Sequence, residues 1–156
     1  MLTLLAAAML VPPPVAGDDR TAILASVNSL IDALATSDGE AVDALLESEG
    51  TFVRVDLTNP AAASQRVTSF ADIRKDTNKD VAVMSEKLGI PTLMQRGPIA
   101  YVWVPYGFFT GGKLSHCGID AFTLVNRDDR WRVAGLVYTV EATSTCAALA
   151  APTTPE

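Results

Sequence analysis

The chain has 156 residues, 49% of them hydrophobic, which suits one domain with a substantial core and excludes global disorder. Its formal charge of −6 lacks the basic footprint that nucleic acid or an anionic membrane surface requires, so neither is an expected partner.

Residues 1–17 read as a signal peptide. The run "MLTLLAAAMLV" is uncharged and apolar, and "PPPVAG" follows it before the charged "DDR". It is shorter than the roughly 20 residues that span a bilayer, and it fits an h-region with cleavage near Ala16 or Gly17. The expected location is therefore periplasmic or extracellular. Residues 18–146 form the expected domain, and "AALAAPTTPE", residues 147–156, is expected to be a disordered tail.

Helical signals come first. Ile23, Val27, Leu30, Ile31 and Leu34 fall on one helical face, with acids at the start to suit the helix dipole. Ser37 and Glu40 are spaced as a capping box for a second helix that stops near Gly50. "TFVRVDL" is a short strand, "QRVT" pairs back on it, and "TSFADIRKDTNKD" is a third helix capped by Thr68 or Ser69. From Val81 onward the chain reads as strands punctuated by Pro91, "RGP", "TGG" and "RDD". Helices followed by a meander predict an α+β fold, with a curved antiparallel β-sheet wrapped around the N-terminal helices as a cone with a central pocket.

In "RWRVAGLVYTV", Trp131 and Val133 share one face and Arg130 and Arg132 the other. Trp131 should point toward the helices. A tight turn at Asp128–Asp129 and another at Gly111–Gly112 then set the register of "GKLSHCGIDAF". This places Tyr101, Trp103, His116, Gly118, Asp120, Phe122, Leu124 and Thr139 on the inner face, with Trp103 opposite Asp120. Val102, Val104, Tyr106, Ile119, Ala121, Leu136 and Tyr138 fall outside, an apolar surface that predicts a homodimer through the outer face.

His116 and Cys117 are neighbours on a strand and point to opposite sides, so they are not a nucleophile pair. His116 and Asp120 share a face but lie roughly 13 Å apart along it. His116 would sit near the rim, opposite Glu141. In an oxidising compartment, Cys117 and Cys146 can form one intrachain disulfide; in a reducing one they would be two buried thiols.

The segments "AYVWVPY", "GKLSHCGIDAF" and "WRVAGLVYT", with the late Cys146, resemble small exported proteins of the nuclear transport factor 2-like superfamily, in its SnoaL-like, lumazine-binding branch. The resemblance is close over residues 98–146 and lies only in the order of elements over 18–90. Arg130 stands where such proteins usually carry glycine. The resemblance implies a cone-shaped fold, a pocket and frequent dimers. It implies no single activity, because the superfamily holds ketosteroid isomerase, scytalone dehydratase, polyketide cyclases and members with no known reaction.

Asp120 is the first candidate for chemistry. A carboxyl in an apolar pocket has a raised pKa and can donate or take a proton. His116 is the second candidate acid or base, against a structural contact with Glu141. Tyr101, Trp103, Phe122 and Thr139 would line the pocket and orient a small apolar or aromatic molecule. Arg54 and Asp56 could reach its mouth. The single histidine and the lack of a second Cys/His cluster speak against a metal, and no phosphate-binding or dinucleotide motif calls for a cofactor. The leading expectation is an exported ligand-binding domain. The alternative is an isomerase-, dehydratase- or cyclase-type enzyme using Asp120 as acid or base, and a third reading is a dimerisation module with a filled core.

Overall fold

The computed structural model describes residues 19–77 and 84–155, so the signal-peptide reading lies outside the described residues. Helix α1 (Arg20–Ala35) buries Ile23, Val27, Leu30 and Ile31, the stripe its spacing predicts. Helix α2 (Gly39–Leu45) starts at Asp38, whose side chain accepts from Ala41 N at 3.0 Å. The cap is therefore Asp38 rather than Ser37, which adopts a left-handed φ of 55°. Helix α3 (Phe70–Asp76) is capped by Ser69, as its sequence suggests. Among the described residues no helix is long and apolar enough to cross a membrane.

The strands are β1 (Thr51–Asp56), β2 (Ser64–Ser69), β3 (Met84–Leu88), β4 (Thr92–Arg96), β5 (Ile99–Thr110), β6 (Lys113–Arg127) and β7 (Arg130–Val140). They form one sheet in the order β2-β1-β7-β6-β5-β3, with β4 also pairing β5. The fold is α+β, as expected. The sheet is mixed rather than purely antiparallel, because β1 runs parallel to β7. Helix α1 lies on its inner face, and its buried stripe belongs to the same core as Val102, Val104, Phe122, Leu124, Val133 and Leu136. Each such large side chain, fully buried, contributes about 1.5–3 kcal/mol of transfer free energy.

Both hairpin turns form where the sequence puts them. Gly111 and Gly112 have φ of 56° and 74°, and Asp128 and Asp129 have φ of 54° and 58°, the positive values a two-residue hairpin loop requires. The register beyond each turn differs from the simple count because one residue is inserted in each ladder. Phe109 pairs with Leu114 but Phe108 pairs with His116, so Ser115 is extra. Leu124 pairs with Val133 but Thr123 pairs with Gly135, so Ala134 is extra. Each bulge inverts the alternation of the strand it shifts.

Strand β6 keeps the expected faces, with Asp120, Phe122 and Leu124 buried inward. Strand β5 and the second half of β7 are inverted. Val102, Val104, Tyr106, Leu136 and Tyr138 face the helices. Tyr101 and Trp103 face away, and Trp103 is 46% exposed. The outer surface expected from those five residues is therefore core. A different outer row replaces it: Trp103, Ala121, Val137, Val53 and Val67 are aligned across β5, β6, β7, β1 and β2.

Cys117 points outward and is bonded to Cys146. The expected loose tail is instead seated over this bond. Ala151 N donates to Cys146 O at 3.0 Å, and Ala151 is buried with Leu114 and Leu149 packed alongside. Gly107, which pairs with Cys117, admits the Pro152 carbonyl; a β-carbon there would lie 1.9 Å from that oxygen. The physical reason is tertiary: two cysteines and one missing side chain give the tail an anchor and a groove.

Candidate functional site

A cavity of about 390 Å³ lies between the C-terminal half of α1 and the inner face of the sheet. Ile31, Leu34 and Ala35 close it from the helix side; Phe52, Leu136 and Val140 form apolar walls. Its polar lining comes from four strands: Arg54 on β1, Tyr138 on β7, His116 and Asp120 on β6, and Ser85 and Glu86 on β3. Tyr106 and Phe108 on β5 complete the aromatic wall. The size falls in the range of small-molecule sites.

Asp120 is 2% exposed, and its side chain is hydrogen-bonded to that of Glu86. Burial, then the charge of Glu86 and the shared hydrogen bond, push the Asp120 carboxyl well above the ordinary carboxylate range. Burial also raises Glu86 to about 7, with the hydrogen bond from Asp120 opposing the rise. Asp120 is therefore the donor and Glu86 the acceptor of one shared proton. Glu86 as a residue is only partly buried, yet its Oε1 is shielded, as is Asp120 Oδ2, and neither atom has a hydrogen-bond partner outside the carboxyl pair.

Glu86 is the residue the sequence reading missed. Its signal lies in "MSEKL": Met84, Glu86 and Leu88 alternate, so a carboxyl interrupts an apolar row at strand spacing. The expected partner, Trp103, stands on the other face because of the bulge at Ser115.

The remaining candidates separate. His116 lines the cavity, stacked on Phe108 with centroids 4.7 Å apart and edge-on to Tyr106 at 6.0 Å. Burial, then the Arg54 charge, hold it below the usual histidine range, with Asp56 opposing. Its expected neighbour Glu141 is instead bridged to Cys117 and accepts from Thr139 Oγ1 at 3.0 Å. Phe122 is fully buried in the core, outside the cavity lining. Tyr101, Trp103 and Thr139 are also outside that lining. Thr139 supports the strand ends: its Oγ1 accepts from Ile119 N and its carbonyl from Tyr106 Oη. Tyr106 is thereby a strut, and burial raises its phenol beyond any acid–base use.

Arg54 and Asp56 form a 2.7 Å pair beside the cavity. Thr58 fixes Asp56 through its hydroxyl and amide, and these bonds lower the Asp56 pKa. Tyr138 is raised by burial, with Arg54 acting against it. The arrangement is a cavity with aromatic walls and a hydrogen bond shared between two carboxyls. Such a pair can give or take a proton near neutral pH, where acid–base groups are most effective.

No family model matches the sequence and no curated protein matches it. Solved structures do match the fold. An NTF2-like protein from Cytophaga hutchinsonii superposes with a TM-score of 0.66 at 14% identity, over 79% of this chain and 98% of its own. An NTF2-like protein with a cystatin-like fold from Novosphingobium aromaticivorans gives 0.62 at 16% identity, over 84% and 88%. A ketosteroid isomerase-like protein from Erwinia carotovora atroseptica gives 0.54 at 13% identity, over 80% and 97%.

Proposed function

We propose that this chain, which has the nuclear transport factor 2-like fold, is an exported protein that binds a small, largely apolar molecule in the cavity. The carrying observation is the 390 Å³ cavity, whose walls are largely apolar and whose polar lining includes the hydrogen-bonded carboxyls of Asp120 and Glu86. Apolar walls supply affinity, and the carboxyl pair orients the ligand's polar group. Export is supported by the N-terminal apolar run and the disulfide. A thermal-shift screen of small apolar compounds is expected to find ligands that raise Tm. Ala35→Phe, which fills the chamber from α1, is expected to abolish those shifts while the variant still folds. Shifts that survive in Ala35→Phe place the binding elsewhere and contradict the reading.

The shared proton favours a second reading, an isomerase-, dehydratase- or cyclase-type enzyme. An ionised Glu86 would take a proton and a neutral Asp120 would donate one. In that case Glu86→Gln and Asp120→Asn each lower turnover by about 10²–10⁴-fold with ligand binding retained. Turnover unchanged in both variants rules the enzyme out.

We also propose that a second copy covers the outer row, where Trp103, Val137 and Val67 are 46%, 49% and 63% exposed. Sedimentation is expected to show a dimer that Trp103→Asp converts to a monomer. A monomeric wild-type chain contradicts this.

A further inference from the structure

We infer that the ligand of the cavity carries a carboxylate, seated on Arg54 and Tyr138, with its apolar body extending toward Asp120. This rests on the small-ligand reading above and deepens it by naming the ligand class, a small aromatic or aliphatic acid.

The register sets the arrangement. Asp120 on β6 pairs with Tyr138 on β7, Tyr138 with Arg54 on β1, and Arg54 with Arg66 on β2. Paired residues share a face, so these four form one inner row across the sheet. Asp120, Tyr138 and Arg54 all line the cavity. At the spacing of neighbouring strands, Arg54 and Asp120 stand roughly 10 Å apart at their Cα atoms. One end of the row is a pair of arginines, and the other is the hydrogen-bonded carboxyl pair of Asp120 and Glu86.

Like charges directly opposite on neighbouring strands repel, and an anion beside them relieves the repulsion. Asp56 relieves it in part. Its Oδ2 accepts from Arg54 Nη2 at 2.7 Å, while its Oδ1 accepts from the hydroxyl and amide of Thr58. Arg66 is exposed and has no ion-pair partner among the described residues. Arg54 and Arg66 against Asp56 therefore leave one positive charge unmatched at this end of the row.

The donors for a carboxylate are in place. Arg54 Nε is shielded, but Arg54 Nη1 and Tyr138 Oη are accessible and have no hydrogen-bond partner among the described residues. Burial raises the Tyr138 phenol, with Arg54 and Arg66 acting against the rise, so the hydroxyl keeps its proton and can donate. Two donors on paired residues suit the two oxygens of a carboxylate, and the guanidinium adds charge to the bond. An ammonium group offers these donors no acceptor, and a neutral amide offers one oxygen without charge. The walls suit the rest of such a molecule. Phe52 and Leu136 pair with each other two residues before Arg54 and Tyr138, and Leu34 and Ala35 of α1 also line the cavity.

The test is calorimetric titration of the wild-type protein with phenylacetate, phenylacetamide and phenethylamine. The first two match in shape and differ in charge. Phenylacetate is expected to bind at least about tenfold more tightly than either of the others at about pH 7. Arg54→Gln, in which Thr58 still holds Asp56, is expected to remove that preference and keep the affinity for phenylacetamide. Arg66→Gln, at an exposed position, is expected to reduce the preference about threefold. A preference that persists in Arg54→Gln overturns the inference, and so does one that Arg66→Gln leaves unchanged. Binding of the amide or the amine as tightly as the acid also overturns it and leaves the small-ligand reading standing. Failure of all three probes to bind at millimolar concentration overturns both, as does phenylacetate binding that survives Ala35→Phe.

Discussion

Replacing both carboxyls of the cavity with amides is expected to stabilise the protein at pH 8 and to flatten its stability between pH 5 and pH 8. The sign follows from proton binding. Glu86 has a folded-state pKa raised from 4.5 to about 7, and Asp120 is raised well above its ordinary range. Between those limits the native state holds a proton that the unfolded chain releases. The stability from this source is fully present below the unfolded value and is lost as pH rises through about 7 and beyond. The Glu86 interval alone corresponds to about 3 kcal/mol. For a domain of this size that is roughly 10 °C in Tm. In the double variant Asp120→Asn, Glu86→Gln the two new amides can keep one hydrogen bond in place of the shared proton, so the fold is retained. A Tm profile that falls by the same amount in wild type and double variant would refute the assignment.

The second large effect is expected from the disulfide. Cys117 and Cys146 are separated by 29 residues, and closing a loop of that length removes about 3.5 kcal/mol of unfolded-state freedom. Reduction, or Cys117→Ala with Cys146→Ala, is expected to lower Tm by roughly 10 °C. It also frees the segment that lies over Gly107, because Ala151 and Leu149 pack mainly around the cysteine pair. Amide exchange should therefore accelerate at Ala151 before it does in β5 or β6. Equal Tm values with and without reductant, and unchanged exchange at Ala151, contradict this role.

Much of the fold was legible in the sequence, and the failures share one cause. The stripe in α1, the turns at Gly111–Gly112 and Asp128–Asp129, and the inward set of β6 all follow from local pattern. Side-chain alternation carries that information only while a strand is regular. Ser115 and Ala134 are each one extra residue in their ladders, and neither residue type marks a bulge. One insertion turned Tyr101 and Trp103 away from the inner face; the other did so for Thr139. Asp120 lies on β6 between the two and was placed correctly.

The site was legible in part for the same reason. Asp120 stands out as a carboxyl inside "HCGIDAF", and its burial follows from the turn at Asp128–Asp129. Glu86 could not be joined to it, because β3 reaches the site only through pairing with β5, a contact between segments about twenty residues apart. The tail was read as loose because "AALAAPTTPE" has no periodicity. Its order comes from Cys146 and from the space left by Gly107, both properties of the tertiary structure.

Protonation of the buried pair is the claim on which the cavity chemistry stands, and infrared spectroscopy reads it directly. At about pH 6, where ordinary carboxylates are ionised, wild-type protein should show a carboxylic-acid C=O stretch. The band should vanish in the double variant Asp120→Asn, Glu86→Gln. A spectrum with carboxylate bands alone, identical in the two proteins, would mean that Asp120 and Glu86 share no proton.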